Sequence, residues 1–152
     1  MNPENRISDL GLKIPNPPSP IANYLPYVKT NNLIFLSGCG PANDINGNGL
    51  KGKIGKDINS RDGYKIARLV GLNLIARLKT SVRDLNNIKS IVKLLIMINA
   101  TPGFTNHSEV ANGCSDLLLE VFGEKAKHAR SAIGLNSLPN SIPVEIEMIV
   151  KI

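Results

Sequence analysis

The chain has 152 residues, 42% apolar and 20% charged, with a formal net charge of +6 and a pI near 9.5. That is the length of one domain, able to bury roughly 68–70% of its unfolded surface, and the composition of an ordinary soluble globular protein. No apolar run approaches the ~20 residues that span a bilayer. The N-terminus, Met-Asn-Pro-Glu-Asn-Arg, lacks the apolar core of a signal peptide, so a cytoplasmic location is expected. The basic balance would suit RNA, but the lysines and arginines are scattered. Aromatics make up only 4% and tryptophan is absent, poor material for stacking on bases, so nucleic acid is not an expected partner. Cys39 and Cys114 cannot build a disulfide framework, and with only His107 and His128 beside them no zinc spacing appears. Both are read as reduced, Cys114 at an apolar position of a helix, and no metal is expected.

Residues 3–10 suit a short helix stopped by Gly11. Pro15-Asn16-Pro17-Pro18-Ser19-Pro20 can be neither helix nor central strand and reads as an extended connector. The domain reading is therefore 1–22 as an N-terminal extension and 23–152 as one domain. Residues 24–29 and 33–37 form a strand pair around the turn signal Asn31-Asn32. Residues 41–57, rich in Gly, Asn and Lys, read as a surface loop with a small ribbon near Asn46-Gly47. Gly47-x-Gly49-x-x-Gly52 matches the dinucleotide fingerprint formally. It is discarded because no helix opens at those glycines to aim amides at a phosphate.

The spacing of Tyr64, Ala67, Gly71, Leu74, Ile75 and Leu78 predicts a buried helix stripe over 60–81, with Gly71 allowing close approach to a sheet. The β-branched run 88–99 predicts an internal strand, and 108–122 a second helix stopped by Gly123. Two strand-length runs close the chain, 128–135 and 143–150, read as an antiparallel hairpin across a proline-bearing loop. Matching apolar faces would then put Ile133 and Leu135 with Val144, Ile146 and Met148, and Arg130 opposite, with Glu145 and Glu147. The order is β-β-α-β-α-β-β, an α+β fold with two helices on one face of a mixed sheet. The uncovered face should be buried by association.

The pieces Leu-Ile-Phe-Leu-Ser-Gly (33–38), Ala129-Arg130-Ser131, Leu138-Pro139 and Pro-Val-Glu-Ile-Glu (143–147), in this order, resemble the Rid family, reactive intermediate deaminases, also called YjgF-like or L-PSP. The resemblance runs from about Tyr24 to the C-terminus. It implies a chorismate-mutase-like subunit in a homotrimer, with clefts between subunits. Active members hydrolyse 2-aminoacrylate-type enamines and imines to 2-oxo acids and ammonia without metal or cofactor. Carried over by position, Arg130 is the arginine that grips the substrate carboxylate and Glu145 the acid that holds the attacking water. Ser37 and Gly38 form the cleft floor, Tyr24 is the site tyrosine, and Asn112, one residue out of register, the cleft asparagine. The family's commoner cysteine two residues after the arginine is Ala132 here, so chemistry must proceed without that thiol; the position can still act through its backbone.

These residue types suit the chemistry. A guanidinium orients a carboxylate through paired charge-assisted bonds, and an electrophilic imine carbon needs a placed water and a proton acceptor. Tyr24 or Ser37 would assist proton transfer. The structural alternative is that Arg130 pairs with Glu145 or Glu147 across the hairpin, worth about 0.2–1 kcal/mol. Glu147 is assigned to structure, His128 to a hydrogen-bonded surface group, and one of Tyr24 and Tyr27 to packing. A carboxylate-binding or regulatory protein using the same cleft is the second functional reading, and an endoribonuclease the third.

Overall fold

The computed structural model describes residues 2–17, 22–41 and 49–152. The ribbon expected near Asn46-Gly47, Gly47 of the fingerprint match, and Pro18–Pro20 of the connector lie outside these residues. Helix α1 (Pro3–Asp9) precedes strands β1 (Tyr27–Thr30) and β2 (Leu33–Cys39), helix α2 (Ser60–Val82) and strand β3 (Ser90–Asn99). Helix α3 (His107–Phe122) and strands β4 (Ala129–Leu135) and β5 (Val144–Lys151) complete the chain. The sheet is mixed, in the order β1-β2-β5-β3-β4, with β4 parallel to β3 and the other pairs antiparallel.

The C-terminal hairpin is therefore corrected. The chain leaves β4, passes through a 3-10 turn at Pro139–Ser141 with Asn140 in the left-handed region (φ 54°), and enters the sheet as β5 between β2 and β3. The physical reason lies in side-chain supply. β5 presents buried Val144, Ile146, Met148 and Val150, enough to occupy the middle of the sheet. β4 carries Arg130, Ser131 and Gly134, residues that suit an edge. The face assignment is corrected with it. Leu94 pairs with both Arg130 and Met148, and Met97 with both Ile133 and Glu145. Cross-strand partners share a face. Arg130 and Ala132 thus lie on the helix-covered face with Ile146 and Met148, whereas Ile133 lies with Glu145 and Glu147 on the open one.

The core fills the space between the sheet and the α2–α3 pair, from Ile34, Leu94, Ile96 and Val144 to Leu74, Leu78, Cys114 and Leu117. Gly71 does permit a close approach, but to α3 rather than to the sheet. A Cβ there would come within 2.8 Å of Leu117 Cδ2. Gly113 is tighter still, since its Cβ would overlap the Tyr64 carbonyl, and so the two backbones meet at a glycine. α1 extends this layer: Ile7 is buried, Glu4 pairs with Lys79 at 2.8 Å, and Arg6 donates to the Glu120 carbonyl near the end of α3. The expected surface loop is anchored in its second half, where buried Ile54 bonds Asn99 and Thr101 through its backbone. The open face carries exposed Val28, Phe35 and Ile133 in rows with Leu95, Met97 and Ile149, an apolar surface that no helix covers among the described residues.

Candidate functional site

One half of the candidate site is built on β4 and α3. Arg130 Nη1 donates to Asn112 Oδ1 at 2.8 Å and to Ser115 Oγ at 3.0 Å. Asn112 and Ser115 are three apart on α3, so both face the same strand. Ser115 Oγ also lies 3.0 Å from His128 Nε2, while His128 Nδ1 meets the Ala126 carbonyl. A carbonyl only accepts, so Nδ1 carries the proton and Nε2 accepts from the serine hydroxyl. Burial and then the Arg130 charge, against the Ala126 bond, lower the proton affinity of this imidazole. His128 is thus a half-buried member of the Arg130 cluster rather than a surface group. Ala132, opposite Ile96, continues the same face along β4.

The other half is built on β2 and β5. Leu36 pairs with Met148 and Cys39 with Ile146, so Ser37 and Gly38 both stand against Glu147, a β-bulge. The Glu145 carboxylate rests on this bulge. A Cβ on Gly38 would overlap its Oε1, so only glycine leaves room for it. Burial and the like charge of Glu147 raise the Glu145 proton affinity, and Arg77 opposes them. Ser37 Oγ donates to the Leu25 carbonyl at 2.6 Å, tying the segment before β1 to the floor. Tyr24 lies one residue before that tie and is 45% exposed. Tyr27 instead packs against the core, with Lys29 Nζ 5.8 Å from its ring centre.

Composition and motif reading missed Arg77. It is only 5% exposed, and its Nη1 donates to the carbonyls of Ser37 and Gly38 at 3.1 and 3.2 Å. The available signal was its spacing, between Leu74 and Leu78 on the apolar stripe of α2. Ser115 was missed too, though it follows Asn112 by one turn. Neither cysteine offers a reactive thiol: burial pushes Cys39 up to about 11 and Cys114 up to about 12.

The structure thus gathers Arg130 with Asn112, and Glu145 with Ser37 and Gly38, but separates the two groups. Arg130 is on the helix-covered face and Glu145 on the open one, and no ion pair joins Arg130 to Glu145 or Glu147 among the described residues. The cross-hairpin salt bridge is therefore overturned, because β3 lies between the two strands.

Residues 4–146 match the family described as "YjgF/chorismate_mutase-like, putative endoribonuclease". The chain belongs to the YjgF-like, or Rid, family. The match takes in α1, which the motifs alone placed outside the family pattern. Protein TCP17 of Trypanosoma cruzi is 38% identical over 144 residues, 94% of this chain and 89% of that one. A solved candidate endoribonuclease from Shewanella oneidensis MR-1 is similar over the full length of both chains, at 31% identity and a TM-score of 0.94. YyfA of Yersinia pestis, a Rid-family protein of unknown function, is similar over 90% of this chain and 94% of its own, at 28% identity and a TM-score of 0.63. The α+β, chorismate-mutase-like fold follows from these likenesses and from the strand order. No helix among the described residues is long and apolar enough to cross a membrane.

Proposed function

We propose that this Rid-family protein hydrolyses small reactive enamines and imines of the 2-aminoacrylate type to 2-oxo acids and ammonia, in clefts between copies of a homotrimer. The observation that carries the reading is the pair of half-sites. A guanidinium steadied by two neutral acceptors reaches the outer strand of the sheet, and a carboxylate rests on a glycine bulge of the other face. One copy keeps them apart, and a second copy laid against that strand can bring Glu145 to Arg130. The apolar open face supplies the surface for such association.

In that cleft Arg130 holds the substrate carboxylate through charge-assisted bonds. Glu145 holds a water against the imine carbon and accepts its proton as the C–O bond forms. With the imine nitrogen protonated, the C=N electron pair passes to that nitrogen and a carbinolamine forms. Its nitrogen then takes the proton from Glu145, and as the C–N bond breaks the freed carboxylate accepts the hydroxyl proton. This leaves the 2-oxo acid and ammonia, which carries the last proton away as ammonium. Tyr24 or Ser37 assists proton transfer, Asn112 and Ala132 line the Arg130 side, and no metal or cofactor takes part. The test is to add the protein to a serine dehydratase reaction and follow pyruvate release. A rate equal to that without the protein ends the deaminase reading. Saturable binding of 2-oxobutyrate, lost in Arg130→Ala and without turnover, would make the same cleft a carboxylate-binding site instead. An RNA-cleaving reading lacks the paired histidines it needs, since His107 lies against Gly134 and His128 precedes the opposite end of β4.

A further inference from the structure

Among the described residues Arg77 is a charge without a counter-ion: it is almost wholly buried, no carboxylate lies within ion-pair distance, and its Nε has no hydrogen-bond partner. A buried, unpaired cation costs several kcal/mol unless its surroundings offset it, and a leucine at this point of the stripe would avoid that cost. What Arg77 touches is the floor of the site. Its Nη1 reaches the successive carbonyls of Ser37 and Gly38. In an unbroken strand successive carbonyls point to opposite edges, so one nitrogen bonds both only because the bulge turns them toward α2. The peptides are trans, so the N–H groups of Gly38 and Cys39 are directed away from Arg77. Glu145 lies across the same glycine.

We propose that Arg77 is a positioning residue that works from beneath the sheet, fixing the Ser37–Gly38 bulge as the site floor and giving Glu145 a buried counter-charge across it. The proposal rests on the assignment of Glu145 as the water-holding acid. The charges that bear on Glu145 are Glu147 from its own strand, which favours its protonation, and Arg77 from α2, which opposes it. The Cys39 thiol of β2 also stands near both, but burial pushes it up to about 11 and it stays neutral. Without Arg77 the carboxyl would take up a proton more readily.

The test uses the full chain, carboxyl-13C-labelled on glutamate, with the Glu145 signal assigned from its loss in Glu145→Gln. Its titration midpoint is compared in wild type, Arg77→Gln and Arg77→Lys. The glutamine can still donate to one carbonyl but has no charge, so its midpoint moves up, whereas lysine holds the midpoint near wild type. The amide signals of Gly38 and Cys39 move in both variants. A folded Arg77→Gln protein with an unmoved midpoint overturns the proposal. If that variant does not fold, Arg77→Lys decides: unmoved Gly38 and Cys39 amides overturn it, and displaced amides with a wild-type midpoint support it. In the deaminase assay, the acid limb of the kcat–pH profile moves to higher pH in Arg77→Gln, together with the Glu145 midpoint, and stays near wild type in Arg77→Lys. Failure of the wild type in that assay removes the proposed reaction but leaves the titration standing, so the two failures are distinguishable.

Discussion

The two half-sites are built on opposite plans. Around Arg130 the charge is near the surface, at the edge of the sheet, and its partners are neutral: Asn112, Ser115 and, through the serine, His128. Around Glu145 the carboxylate is half-buried, its neighbours are charged, and its support is a glycine bulge with an arginine beneath. The first plan leaves a cation free to meet an incoming anion, since neutral acceptors orient the guanidinium without cancelling its charge. The second holds a carboxylate where its proton affinity depends on what lies around it. If the two halves serve one cleft, as proposed, the site is shaped in each copy but complete in no single one.

The largest effect should come from breaking the Arg130 side. Arg130→Lys keeps the charge and loses the fork, so kcat/KM in the coupled pyruvate assay should fall at least about a hundredfold. The division itself is tested by mixing. Arg130→Ala and Glu145→Gln proteins, each inactive, are unfolded together at equal amounts and refolded. If each cleft draws its arginine and its glutamate from different copies, about a quarter of wild-type activity returns. No recovery in mixed assemblies would place both groups in one copy and undo the comparison.

Two glycines set the second contrast. At Gly113 an added methyl meets the Tyr64 backbone, which cannot yield without parting α2 from α3. Gly113→Ala should therefore cost about 3 kcal/mol of stability by denaturant titration. At Gly38 the obstruction is the end of the Glu145 side chain, which can swing away. Gly38→Ala should leave stability within about 1 kcal/mol and lower activity roughly tenfold or more, because a displaced carboxylate no longer places water. Equal stability losses in the two variants would mean that the Gly38 floor is a packing feature.

These cases show which parts were legible in the sequence. Helix α2 stood out because a single face repeats at helical period, as from Ala67 to Leu78, and strand β3 because residues 88–99 form a β-branched, apolar run. Strand order is not local in that way. The alternation of residues 143–150 says that the run has two faces, but not which strand lies beside it. Assuming a hairpin partner reversed the face assigned to Arg130. The edge character of β4 was visible in Arg130, Ser131 and Gly134, and would have argued against a hairpin at the centre of the sheet. Arg130 and Glu145 stood out through family spacing. Arg77 and Ser115 belong to no such motif, and their roles emerge only when α2 and α3 are laid on the sheet.

Smaller effects probe how firmly Arg130 is held. Ser115→Ala removes one of the two acceptors on Nη1 while Asn112 remains. A lost bond to a charged group in a partly exposed setting is worth about 1 kcal/mol, so KM or the 2-oxobutyrate Kd should rise roughly fivefold. kcat should change less, because the water side is untouched. A loss confined to kcat would shift Ser115 into the proton path and blur the division between an anchoring half and a chemical half.

His128 gives the smallest and most specific signal. Its imidazole is held neutral, with Nδ1 donating to the Ala126 carbonyl and Nε2 accepting from Ser115. Burial and Arg130 lower its proton affinity below the ordinary value of 6.5. A base with a depressed folded-state pKa binds fewer protons folded than unfolded. Its contribution is therefore complete above pH 6.5 and is lost as the pH falls from there through the folded value. Once protonated, Nε2 would have to donate to the same serine oxygen that accepts from Arg130, setting two cations on one hydroxyl. Because the ring is only half-buried, solvent screening keeps the effect below about 1 kcal/mol. Thermal unfolding between pH 5 and 8 should show wild-type Tm falling below pH 6.5 relative to His128→Gln, whose amide does not titrate. Parallel curves for the two proteins would mean that the Arg130 side, unlike the Glu145 side, is indifferent to protons.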